Sequence, residues 1–90
     1  MSRVIWKFPI DLVATTTISV PKYALIRLVA LDPATGKPAI WVELDQDEEF
    51  VPRRFSIHAT GQTIAAPDML HVGSVIDGLF VRHIFELRGS

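Results

Sequence analysis

Arg54, Ser56, His58 and Thr60 recur at every second position of the run Arg53–Thr60, alternating with Phe55, Ile57 and Ala59. A period of two sends alternate side chains to opposite faces of a strand. The polar set therefore shares one face, and it contains no acid. A guanidinium, an imidazole and two hydroxyls on such a face are donors suited to an anion, phosphate above all. Arg53 and Lys22 add positive charge nearby if the strand order brings them in. Trp41 alternates with Ile40 and Val42 and is expected to point outward beside Glu43, where an indole either stacks on a base or a partner or lies under a second covering layer. The candidate ligand-binding residues are thus Arg53, Arg54, His58, Thr60 and Trp41.

Other chemistries lack their signatures. The chain has no cysteine, which removes thiol catalysis, disulfides and nearly all structural zinc patterns. Its histidines, His58, His71 and His83, are twelve or more residues apart with no His-x-His pair, so no metal is expected. His83 falls on a stripe with Leu79, Val81, Phe85 and Leu87, where a hydrogen-bonded core imidazole is expected. Asp45, Asp47, Glu48 and Glu49 begin like a calcium loop. Phe50 and Ser56 stand where that loop needs its glycine and its last glutamate, so a solvated charge run is expected. Ser74 follows Gly73 without a Gly-x-Ser-x-Gly elbow, and sequence places no imidazole or acid against it. No glycine-rich phosphate loop is present. The expectation is a binding protein without enzymatic activity and without a cofactor.

The elements that carry these residues read as strands. Val, Ile and Thr make up 24 of the 90 residues, and β-branched side chains favour pleated sheet over helix. Apolar runs between breakers predict strands at Val4–Phe8, Thr15–Val20, Tyr23–Leu31, Ala39–Asp45, Arg53–Thr60, His71–Ile76 and Leu79–Leu87. A short edge strand at Gln62–Ala66 and one helical turn at Pro67–Leu70 complete the reading, with Gln46–Val51 as an acidic loop. Trp6, in phase with Val4 and Phe8, is expected in the core. Asp32–Lys37 and Asp77-Gly78 are turn signals. The fold expected is a single all-β domain over residues 1–90, a small antiparallel sandwich or barrel of about seven strands.

Nine basic residues against ten acidic ones argue against general nucleic-acid binding, which needs a basic surplus. No apolar stretch is long enough to span a membrane and no secretory signal is visible, so a cytoplasmic location is expected. Tyr23–Leu31 and Leu79–Leu87 look apolar on both faces. The first is expected to be central and covered, and the excess apolar surface predicts a homo-oligomer.

Several short motifs occur together: Ile5-Trp6-Lys7-Phe8, Val20-Pro21-Lys22, Pro38-Ala39-Ile40-Trp41, Arg53-Arg54-Phe55-Ser56-Ile57, Thr60-Gly61, Val72-Gly73-Ser74-Val75 and His83-Ile84-Phe85-Glu86. In this order the chain resembles a family of small proteins encoded by tailed bacteriophages and prophages. Phe8 and Ser74 depart mildly from the Tyr and Thr usual there. The resemblance implies a phage origin, and it implies no activity. Together with the donor-rich strand it leads to an expected role in counter-defence. The protein would sequester a nucleotide-type immune signal or bind a host defence protein; a minor virion or assembly role is the alternative.

Overall fold

The computed structural model describes residues 2–11, 15–64 and 69–87. Seven strands run in order: β1 (Arg3–Pro9), β2 (Thr15–Pro21), β3 (Leu25–Leu31), β4 (Pro38–Asp45), β5 (Phe50–Ala59), β6 (Met69–Asp77) and β7 (Phe80–Leu87). They form two antiparallel sheets, a three-stranded one ordered β1-β4-β3 and a four-stranded one ordered β2-β5-β7-β6. The sheets are open and make a small β sandwich, without a helix among the described residues.

The core lies between the sheets, as alternation requires. Ile40, Val42 and Leu44 of β4 are fully buried and face Phe55, Val75 and Ile84 from the other sheet. Ile57 pairs with Ile84 and Phe55 with Glu86, so these four share the inner face. Arg54, Ser56 and His58 are thereby turned to the outer face, opposite Leu87, Phe85 and His83. The sheets approach most closely where β3 meets β6. There Gly73 lies against Val29, and a Cβ at position 73 would stand 2.6 Å from Val29 Cγ2.

Several sequence expectations change. β3 is an edge strand, not a central covered one, and β4 lies between β1 and β3. The strand begins at Leu25 because Tyr23 adopts φ 67° in a turn closed by the Ala24 amide donating to the Pro21 carbonyl. Tyr23 is 71% exposed there, with the Lys22 ammonium 5.4 Å from its ring centre. Trp6 does lie on the inner side, opposite Val42. It remains 38% exposed because β1 is an edge strand, flanked on one side only. The acidic loop narrows to Gln46–Glu49, since Phe50 and Val51 pair with β2. Asp45 is buried, and its Oδ1 accepts the Asp47 amide to shape the turn. Gln62, Thr63 and Ile64 join no strand, while residues 65–68 lie outside the described residues. Met69 and Leu70, expected in a helical turn, belong to β6.

Candidate functional site

The outer face of the four-stranded sheet gathers residues that are remote in sequence. β5 contributes Arg54, Ser56 and His58, with Thr60 just beyond its end. β7 sets His83 opposite His58 and Phe85 opposite Ser56. β6 then sets Ser74 opposite His83 and His71 opposite Phe85. A register shift between His71 and Gly73 lets both His71 and Ser74 take this side, because a bulge adds one residue to the two-residue alternation.

A continuous hydrogen-bonded chain results. Ser74 Oγ is 3.1 Å from His71 Nε2 and 3.0 Å from His83 Nδ1. The other ring nitrogen of His83 is 2.9 Å from Thr60 Oγ1. Beside this chain Ser56 Oγ meets His58 Nε2 at 2.6 Å, while the buried His58 Nδ1 has no protein partner. Phe85 fills the middle, with His58 and His71 set edge-to-face against it at 5.5 and 5.2 Å between ring centres. On β2 the corresponding positions are Thr15 and Thr17, paired with Ser56 and Arg54. Among the described residues no carboxylate of β2, β5, β6 or β7 is turned to this face. The described residues contain no trio of His, Cys, Asp or Glu grouped to hold a metal ion.

The sequence-predicted site divides. Arg54, His58 and Thr60 fall on this face, Arg54 and Thr60 exposed. Arg53 points to the other side, where its Nε and Nη2 each donate at 2.6 Å to one oxygen of Glu86 and its Nη1 donates to the Ala24 carbonyl. This guanidinium ties the four-stranded sheet to the turn between β2 and β3. It also floors a groove of about 270 Å³ walled by Leu25, Ile26, Leu70 and His71. Lys22 is near Glu49, 3.6 Å away. Trp41 stands on the outer face of the other sheet, flanked by Lys7 and Leu28, so it shares no surface with Arg54.

His83 lies on the stripe that alternation predicts, with Val81 and Phe85. That stripe faces outward, and the imidazole is held by hydroxyls. Ser74, for which sequence supplied no partner, has two. The pairing of β6 with β7 across Asp77-Gly78 brings Ser74 to His83, and that hairpin was the available signal. Only the β5–β7 pairing brings in Thr60 and His58.

Trp41's face has its own pattern. Ile5, Leu25 and Leu28 are exposed around the indole, and Glu43 accepts from both Arg3 and Arg27. Those hydrogen bonds, Arg3 first and then Arg27, hold the Glu43 carboxyl below the ordinary glutamate range. At the rim the Lys7 ammonium donates to Asp32 at 2.6 Å. That bond, with the Ala34 amide, likewise holds Asp32 below the ordinary aspartate range.

A family model described as a domain of unknown function, DUF7352, matches residues 1–90. The chain belongs to this family. No curated protein and no solved structure matches it. What this DUF7352 chain offers chemically is therefore read from its own surfaces. They are a donor-rich outer face built on imidazoles and hydroxyls, and an apolar outer face centred on Trp41.

Proposed function

We propose that this DUF7352 chain is a binding protein that sequesters an anionic, nucleotide-type ligand on the outer face of the four-stranded sheet. The observation that carries the reading is the gathering of Arg54, three imidazoles and the hydroxyls of Ser74 and Thr60 around Phe85, on a face to which no carboxylate of the described strands is turned. Phosphate oxygens accept from such donors, and an aromatic ring among them suits a base. The balanced net charge of −1 favours a small ligand over a nucleic-acid strand, since counterion release is weak without a basic surplus. The resemblance to small phage proteins supports a setting in the host cytoplasm, where removing a nucleotide immune signal would protect the phage.

Thermal melting against cyclic oligonucleotides, ADP-ribose and simple nucleotides tests this. A ligand at 100 times its Kd stabilises by about 2.7 kcal/mol, and each kcal/mol moves the midpoint of so small a domain by roughly 4–8 °C. Arg54→Ala should cut the shift with little change in the unliganded midpoint. A panel that moves no midpoint would remove this reading.

One observation favours a second reading, an interaction or assembly domain. Ile5, Leu25, Leu28 and Trp41 form an apolar stripe on a sheet face that no strand among the described residues covers, the kind of surface that homo-oligomers bury. Stoichiometric copies in purified virions would favour that role over sequestration.

A further inference from the structure

We infer that the ligand's phosphate seats over Ser74 between His71 and His83, and that its binding draws a proton onto these imidazoles. This rests on the proposed anion-binding reading and adds the position of the phosphate and its coupling to pH.

The argument is a count of hydrogens. Ser74 has one hydroxyl proton and accepts through two lone pairs. With His71 and His83 both neutral, Ser74 either accepts from one imidazole and donates to the other, its hydrogen turned inward, or accepts from both while Thr60 donates to His83 Nε2. A proton added to His83 makes both of its nitrogens donors, to Ser74 and to Thr60, and Ser74 then donates to His71. No hydrogen bond is broken. With His71 Nε2 also a donor, Ser74 receives two hydrogens and its own is displaced outward. Thr60, accepting from His83, likewise turns its hydrogen out. Protonation of His83 thus makes both Ser74 and Thr60 acceptors from one ring, which frees the Thr60 hydrogen to turn outward and adds positive charge to the chain.

Arg54 and His58 stand beside the chain on the neighbouring β5, and the Arg53–Glu86 pair lines the groove that His71 borders. β2 brings hydroxyls, and no carboxylate of the described residues on β6 or β7 faces this side. A phosphate supplies the missing negative charge and several acceptor oxygens at once, whereas a carboxylate supplies two in one plane. Because linkage is reciprocal, an anion that favours the protonated chain binds more tightly as pH falls.

Calorimetric titration with ADP and with pyrophosphate, in buffers of different ionisation enthalpy at pH 7.5, counts the protons taken up. The expected result is net uptake with the wild-type protein, and affinity that weakens toward pH 8.5 by up to about tenfold per linked proton and pH unit. His83→Gln, which keeps a hydrogen-bonding side chain but cannot titrate, should abolish most of the uptake while retaining weaker binding. Ser74→Ala should weaken binding at every pH, with folding of each variant checked by its melting curve. Binding without proton uptake, or uptake unchanged in both His83→Gln and His71→Gln, overturns this inference and leaves the binding reading standing. Absence of binding by either probe at both pH values overturns the inference together with the phosphate reading beneath it.

Discussion

Arg53 and Arg54 are adjacent and chemically identical, yet the pleat gives them opposite work. Arg53 is on the inner side, its fork closed on Glu86 with side chains only 22% and 14% exposed. Arg54 is exposed on the face of the imidazoles. Removing one partner of a partly desolvated, bidentate pair leaves the other charge without compensation. Glu86→Ala is therefore expected to destabilise the fold by about 2–3 kcal/mol, read as a lower urea midpoint at unchanged slope. A change within ±0.5 kcal/mol, the usual range for a surface substitution, would show that the pair contributes little.

At the scale of elements, the two edge strands β3 and β6 hold the sheets together at their closest approach. Gly73 is there for space. A methyl at 2.6 Å from Val29 Cγ2 has to push backbone or side chain aside, so Gly73→Ala should cost about 1–3 kcal/mol. Val29 Cβ would also stand 2.7 Å from that methyl, so Val29→Gly, which removes both atoms, should couple favourably to Gly73→Ala in a double-mutant cycle. The turn from β3 to β4 makes an acid-sensitive element. Asp32 accepts from Lys7 and from the Ala34 amide, which holds its carboxyl below the ordinary value of 3.8. A depressed carboxyl contributes stability that is fully present above its unfolded value and lost as pH falls through its folded one. Between pH 5 and 2 the wild-type midpoint should therefore fall more steeply than that of Asp32→Asn, and parallel curves would contradict the assignment.

For the molecule as a whole, the sandwich is only 16 Å along its shortest axis, and among the described residues each sheet has an outer face that no other strand covers. One is polar and rich in donors. The other carries Leu28, 51% exposed, next to Trp41. If that apolar face packs on a second copy, Leu28→Glu should convert a dimer to a monomer in sedimentation equilibrium without weakening the β-sheet circular dichroism signal. A wild-type protein that is already monomeric at high micromolar concentration would remove the oligomer reading and leave the face to another partner.

Local chemistry by itself determined the all-β class, the seven strands to within a few residues, and the inward set Ile40, Val42, Leu44, Phe55 and Ile57. Each of these follows from β-branched content, two-residue alternation and turn residues, which act between near neighbours. The same alternation correctly separated Arg54, His58 and Thr60 from Phe55 and Ile57. Sequence missed the edge position of β3, the partial exposure of Trp6 and the closure of Arg53 on Glu86, because each depends on which strand lies alongside. It also united Trp41 with Arg54, which the two-sheet topology separates. Ser74 acquired its two imidazoles only through the β6–β7 register and its bulge, and His83 acquired Thr60 only through the β5–β7 pairing. Alternation tells each side chain which face it takes; only the pairing of distant strands decides what it meets there.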